Sequence, residues 1–325
     1  MRVNWIDKLQ NKTYDITEFV SSVTWGGSVS QASRSLEVSL VYSPFDKNIK
    51  DPSIKQGDRL KLYEDGKLLI NAMVYTRGRA SEQGTITYTG YDELNRLLRS
   101  NGTYKFKNTT PERIVTIVCN DLKVNTGTIA ETKVPIKKML VDGESYYNII
   151  MKAYTKAYQS TGKKYMLFMY DEKLYVLEKG EVISGFYLED DVNITASSYS
   201  ESIENIVNKV KIYDDNGKQI GEVKNSDSIG LYGIFQDVYT KEEGVNSTTA
   251  ANNMLSGIEK TASVEGIGNI SCISGYGVKI KDSITGLTGK FWIDNDSHTW
   301  ENGIHTMSLE LTYKNLMDVQ EDGTE

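Results

Sequence analysis

The chain has only 2 histidines, 2 cysteines and 4 prolines in 325 residues, and each scarcity removes a class of function. Cys119 and Cys272 lie far apart and neither belongs to a C-x-x-C pair, so no zinc finger or thioredoxin-like centre is expected, and a reducing compartment suits the chain. His298 and His305 are the sole imidazoles, so any histidine-based metal or acid–base site has to be built around one place. Few prolines beside 27 glycines argue against a disordered or linker-rich chain. No run of apolar residues is long enough to span a membrane as a helix. The opening MRVNWIDKLQNKTYDI is polar and alternating, unlike a signal peptide, so the sequons at Asn101 and Asn246 read as chance matches. Basic charge is also short. Lys plus Arg total 37 against 44 Asp plus Glu, a net charge of −7, and Lys137-Lys138 and Lys163-Lys164 are isolated pairs. Without a basic stripe, specific nucleic-acid binding is not expected.

What is present is β pattern. VSSVTWGGS, SRSLEVSLVY, GDRLKLYEDGKLLINAMVYTRG and GTITYTGYD alternate apolar and polar residues between Gly, Asp and Ser clusters. Asp65-Gly66 marks a hairpin, because both central residues of a type I′ turn need positive φ. A short helix, DELNRLLRS, closes this segment. The 21 tyrosines against 7 phenylalanines suit strands and wet or partner-facing surfaces. The length suggests two or three domains.

The middle changes period. TPERIVTIVCNDL offers Thr110 as N-cap, Pro111 at the first helical position and apolar residues at 114, 115, 117, 118 and 122. Residues 145–162 repeat the helical period with Tyr147, Ile150, Tyr154 and Ala157, and KKYMLFMYDEKLYVLEKG reads as a hairpin turning at Asp171-Glu172. After LEDDVNIT the β pattern resumes, with a hairpin at Asn216-Gly217 and one helix over STTAANNMLSGIEKTA, capped by Ser247 or Thr248. The tail DVQEDGTE is acidic and expected to fray. The expected architecture is therefore mainly β with an α+β insertion: residues 1–99 a first β domain, 100–188 a helical and hairpin unit, and 189–325 a second β domain with one helix and an acidic tail.

The two β segments resemble each other. Gly57-Asp-Arg-Leu-Lys-Leu aligns with Gly277-Val-Lys-Ile-Lys, and Gly66 with Gly286, both 220 residues apart. MVYTRGRASEQGTITYTGYD then aligns with FWIDNDSHTWENGIHTMSLEL, placing Gly84 on Gly303, 219 apart. A duplicated β domain leaves such a trace.

The second of those stretches holds both histidines, with Asp294, Asp296 and Glu301 nearby, and could be a metal or acid–base site. The repeat argues otherwise: His298 falls on Arg79 and His305 on Ile86, an apolar position. A two-residue turn at Asn302-Gly303 would put both histidines on one face, and a three-residue loop with a bulged Gly303 on opposite faces. Other candidates fail on spacing. Gly286-Leu-Thr-Gly-Lys-Phe lacks the phosphate-loop frame, Gly266-Ile-Gly268 has no third glycine, and Asp214-Asp-Asn-Gly217 has no distal Glu for calcium. Glu189-Asp-Asp191 reads as a linker. No catalytic, cofactor-binding or metal-ligating residue is assigned and no cofactor is expected.

The run Phe291-Trp-Ile-Asp-Asn-Asp-Ser-His-Thr-Trp-Glu-Asn-Gly-Ile-His-Thr-Met-Ser-Leu-Glu-Leu resembles the closing hairpin of XkdQ-like phage tail proteins, relatives of late control protein D and the baseplate hubs of contractile tails. The order of parts agrees: an early SLEVSL strand, an insertion opening TPERIV, and a second β domain with one helix. The resemblance covers nearly the whole chain. It implies two tail-tube-like β-barrels per chain and a non-enzymatic homotrimer whose six barrels form a pseudo-sixfold ring. Such a ring would join a sixfold tail tube to a threefold spike, among other baseplate proteins and near the tape measure protein. The implied location is the virion tail or baseplate of a phage, prophage or tailocin, assembled in the bacterial cytoplasm and without membrane insertion. An acidic lumen would keep DNA or the tape measure from sticking. Two other readings stand beside it: a glycan-binding, adhesin-like tail-tip protein, motivated by the aromatics, and a metal-dependent hydrolase using His298 and His305.

Overall fold

The computed structural model describes residues 1–30, 32–43, 52–79, 84–241, 246–315 and 317–320. Alternation turns into strands throughout the first hundred residues. Strand β1 (Arg2–Asp7) buries Val3, Trp5 and Asp7 on one face and pairs with β2 (Lys12–Asp15). Strand β3 (Val20–Ser28) pairs with β4 (Ser35–Val41), which turns Leu36, Val38 and Leu40 inward. Strands β5 (Arg59–Glu64) and β6 (Lys67–Arg79) form the expected hairpin, with Asp65 at φ 48° and Gly66 at φ 76°. Strand β7 (Thr85–Tyr91) lies between β6 and β4. The core under these strands gathers Trp5, Trp25, Leu36, Val38, Leu60 and Tyr88, and takes Trp300 from the far end of the chain.

Helix α1 (Leu94–Arg99), strand β8 (Asn101–Thr109) and helix α2 (Pro111–Leu122) follow. Thr110 holds the extended cap position of α2 with Pro111 just inside, but its side chain makes no cap bond. Strands β9 (Asn125–Ile129) and β10 (Ile136–Ser145) lead to α3 (Tyr146–Thr161). There Ser145 Oγ accepts from Asn148 N at 3.1 Å, and Gly162, at φ 72°, ends the helix. Tyr147, Ile150, Tyr154 and Ala157 are all buried. Strands β11 (Lys164–Tyr170) and β12 (Lys173–Lys179) turn at Asp171 and Glu172, both at positive φ. Of the acidic tail, Asp318 accepts from the Tyr147 hydroxyl at 2.8 Å and Gln320 N donates to Thr155 Oγ1 at 3.2 Å, so its start is tied down. Residues 321–325, also expected to fray, lie outside the described residues.

The last part runs β13 (Val182–Glu189), β14 (Ile194–Ser202), β15 (Lys209–Tyr213), β16 (Gln219–Lys224), α4 (Ser226–Tyr232), β17 (Gln236–Thr240), α5 (Ser247–Met254), β18 (Glu259–Ile267), β19 (Gly277–Lys281), β20 (Thr288–Glu301) and β21 (Ile304–Thr312). The cap of α5 is Asn246, not Ser247 or Thr248: its Oδ1 accepts from Thr248 N and Thr249 N, each at 3.1 Å. By internal contacts the chain forms two units, Met1–Ser197 with Ser263–Asp322, and Ser198–Ala262. In the second, α5 packs Ala251 on Val210 and Ile212 of a three-stranded sheet, β16-β15-β17. Asn208, buried there, accepts from Phe235 N at 2.9 Å and donates to the Gly233 carbonyl at 2.7 Å.

The main sheet has 13 strands, in the order β14-β18-β21-β20-β3-β4-β7-β6-β5-β1-β2, with β19 on β20 and β13 on β19. Two six-strand repeats are visible in it: β1-β5-β6-β7-β4-β3 and β13-β19-β20-β21-β18-β14. Strand by strand in chain order the two orders are the same, although β1 meets β5 antiparallel while β13 meets β19 parallel. Their bulges coincide as well. The β6·β7 ladder slips between Val74 and Thr76, and β20·β21 between Ile293 and Asn295, at the spacing that separates Gly84 from Gly303. The fold is mainly β, as expected. Among the described residues, however, the strand order is an open path and neither repeat closes on itself. The outer edge of β3, free to close the first repeat, is instead taken by β20 of the second.

Candidate functional site at the joint of the repeats

Strand β20 meets β3 antiparallel from Asn295↔Ser28 to Glu301↔Ser22, and the residues singled out from sequence lie here. Two glycines allow the approach. A Cβ on Gly26 would stand 2.6 Å from the Asp296 carbonyl oxygen, and one on Gly268 would stand 2.2 Å from the His305 ring. Asn302 (φ 52°) and Gly303 (φ 77°) form a two-residue turn that sets Trp300 opposite His305. Both histidines therefore share one face, which decides the alternative that sequence left open.

His298 is fully buried and His305 half-buried. His298 Nε2 lies 3.0 Å from the Cys272 carbonyl oxygen, which can only accept, so Nε2 carries the hydrogen. His298 Nδ1 is then the acceptor for His305 Nε2–H at 3.1 Å. Both nitrogens of His298 are thus engaged with the ring neutral. Burial pushes its pKa down to about 4, against the opposing pull of the Asp296 charge. His305 is lowered as well, again chiefly by burial, and its ring stacks on Trp300 at 4.0 Å.

Beside the imidazoles lies a buried ion pair. Arg34 Nη1 donates to Asp296 Oδ1 at 3.0 Å and Nη2 contacts Oδ2, while Ser274 N donates to Oδ1 at 2.7 Å. The Arg34 guanidinium also covers the Trp25 ring at 4.1 Å, and Trp25 lies 5.1 Å from His298. One residue before Arg34, Ser33 Oγ donates to Asp92 at 2.9 Å. Burial raises the Asp92 pKa to about 6, with Ser33 and the Arg34 and Leu94 amides pulling the other way. Cys272 and Cys119 are buried thiols raised to about 12 by burial, with the nearby Asp296 charge adding to the effect at Cys272.

Asp294 and Glu301 do not join this network. The Asp294 backbone carbonyl accepts from Val29 N, and Glu301 is exposed at the turn. Among the described residues no three His, Cys, Asp or Glu side chains are grouped to hold a metal. What the arrangement does chemically is join two repeats through one desolvated ion pair and an imidazole pair in which both nitrogens of His298 are engaged. Sequence reading passed over Arg34 and Trp25, which sit more than 260 residues from Asp296. The one local signal was Gly26-Gly27 inside a strand, a mark of close backbone approach.

The duplicated β repeat with an α+β insertion defines the chain as having the fold of phage tail proteins. It matches the prophage MuSo2 43 kDa tail protein of Shewanella oneidensis with a TM-score of 0.74 at 15% identity, over 98% of this chain and 100% of that one. It also matches the Escherichia coli c3393 protein, described as a component of the type VI secretion system with structural similarity to T4 tail proteins gp27 and gp5. That match has a TM-score of 0.53 at 7% identity, over 93% and 76% of the two chains. The chain belongs to the YQBQ-like family, whose model matches residues 23–312. It is 29% identical to the uncharacterized protein YqbQ of Bacillus subtilis (strain 168) over 273 residues, 81% of this chain and 83% of that protein. It is 27% identical to the phage-like element PBSX protein XkdQ of the same strain over 306 residues, 91% and 93% of the two.

Proposed function

We propose that this chain is the structural baseplate hub of a contractile phage tail or phage-tail-like particle. In this reading it is a homotrimer that joins the sixfold tail tube to the threefold spike, and it has no enzymatic activity. Residues 1–99 and 189–325, the latter joined by the preceding strand β13 (Val182–Glu189), act as the two tail-tube-like domains, with the rest of 100–188 inserted between them. The observation that carries the reading is the pair of six-strand repeats in the same order, joined edge to edge within one chain. A chain with two like domains converts a threefold assembly into six similar positions, which a sixfold tube can dock on. The site is in keeping with this reading, since Asp296 is bound to Arg34 and both ring nitrogens of His298 are engaged at the joint. The particle assembles in the bacterial cytoplasm and ends in the virion tail, with other baseplate proteins and the tape measure protein as neighbours.

A glycan-binding tail-tip role would want aromatic platforms; all 4 tryptophans (Trp5, Trp25, Trp292 and Trp300) are buried, while Tyr14, Tyr170, Tyr187 and Tyr313 are exposed. Mass measurement in solution together with particle imaging tests the hub. A threefold ring with a central hole is the expected result. A protein that remains a monomer at every concentration refutes the reading.

A further inference from the structure

The joint inside the chain implies a second joint between chains. Within one chain, β3 lies along the half of β20 that β19 leaves uncovered, because the β19 pairing stops at Trp292 while β3 takes Asn295–Glu301. Strand β6 presents the equivalent edge. Strand β5 pairs with it only as far as Met73, the Gly57–Asp58 turn bonds Val74, and β7 occupies the other side up to Arg79. Among the described residues no strand lies along the β5 side of β6 beyond that turn.

The counterpart of β3 is β14, also nine residues long. Setting Gly26 on Ser200 places Ser35, the β4 partner of Gly26, on Thr261, whose hydroxyl bonds Ser200 at 2.7 Å. The buried Leu36, Val38 and Leu40 of β4 then fall on the buried Ala262, Val264 and Gly266 of β18. Yet β3 has two strand neighbours, β4 and β20, whereas β14 has β18 alone among the described residues. Each chain is left with one edge of the β3 kind and one edge of the β20 kind.

We propose that β14 of one copy of this chain pairs antiparallel with Thr76–Arg79 of β6 in the next copy, reproducing between chains the joint that β3 and β20 make within one. This rests on the ring reading above and names the surfaces that close the ring. Carrying the β3·β20 register across the repeats sets Thr76 against Ser202, Arg77 against Glu201, Gly78 against Ser200 and Arg79 against Tyr199. The chemistry is complementary at each step. Arg77 takes the position of Asp296 and is set against Glu201, which stands where β3 has Gly27, so a cation faces an acid across the joint. Glu201 already holds Lys260 at 2.8 Å and can be shared. Arg79, whose guanidinium covers the Tyr42 ring at 4.9 Å, is set against Tyr199, itself bonded through its hydroxyl to Glu201, where His298 meets Trp25. At Gly78 the nearest atom to an added Cβ is the Thr87 carbonyl oxygen at 3.9 Å, so a neighbouring strand has room. A contact that uses two different edges is heterologous and closes into a ring when the rotation per chain allows.

Disulfide trapping tests the register. In the full chain both natural cysteines are buried, so the double variant Gly78→Cys with Ser200→Cys places the only accessible thiols at the joint. Mild oxidation is expected to give a ladder of linked chains on a non-reducing gel, ending at the ring's full count. The pair Gly78→Cys with Ser198→Cys, out of register by one repeat of the pleat, is expected to link at least roughly tenfold more slowly. Arg77→Glu is expected to raise the concentration needed for assembly by roughly tenfold or more, and Arg77→Glu with Glu201→Arg to restore it. If the natural chain forms rings but the two cysteine pairs link equally, or neither links, this pairing is wrong and the hub reading stands. A natural chain that never leaves the monomer overturns both.

Discussion

Asp296 shows how much one side chain can carry at a seam. Its carboxylate takes two bonds from Arg34 and one from the Ser274 amide, with His298 Nε2 3.6 Å from Oδ2. The neighbouring titrations pull stability in opposite directions. The unfolded chain protonates His298 near 6.5 and the folded chain near 4, so acidification through that window costs stability, on the order of 3 kcal/mol. Asp92 works the other way. Its folded carboxyl keeps a proton up to about 6 and the unfolded one only to 3.8, so acidification between those values adds stability. Urea unfolding at a series of pH values is expected to fall more steeply between pH 6 and 4 for Asp92→Asn than for the natural chain. His298→Gln is expected to be shallower than the natural chain. Parallel curves for all three would refute the assignment.

Elements in this chain are set by their ends as much as by their apolar faces. Helix α5 has eight residues, too short to persist alone, and Asn246 satisfies two of its first amides. Asn246→Ala should therefore cost about 1 kcal/mol, and Ser247→Ala a few tenths. Hydrogen exchange of the α5 amides reads the difference, and equal effects would place the cap elsewhere. Sequence pattern named Ser247 or Thr248 because both are good caps; the side chain that points back along the axis belongs to the residue before them. Strands β8, β9 and β10 were illegible for another reason. They are short or turn polar residues outward on both sides, so no clean alternation survives.

Over the whole molecule, the two compact units differ in what holds them. Residues Ser198–Ala262 rest on a core of Val210, Ile212 and Ala251 with Asn208 bonding the loop ahead of β17, while the other unit has two extensive apolar clusters. Stability should be uneven accordingly. Amides of β15 and β17 are expected to exchange faster than those of β20 and β21. Asn208→Ala, which orphans the Gly233 carbonyl and the Phe235 amide, should widen the gap while leaving β20 and β21 unchanged. Uniform protection across both units would contradict this.

Sequence alone determined the strand-rich character, the hairpins at Asp65-Gly66, Asp171-Glu172 and Asn302-Gly303, the two long helices of the insertion, and the duplication. These are local or periodic properties, written in side-chain alternation and in positions that need positive φ. Only the tertiary structure decided what the histidines face, because their partners Cys272, Arg34 and Trp25 come from other elements, two of them from the other repeat. It also decided that the edge of β3 goes to β20 instead of closing its own repeat. Backbone edges carry no residue code of their own, so which edge meets which is settled by the packing of the whole sheet.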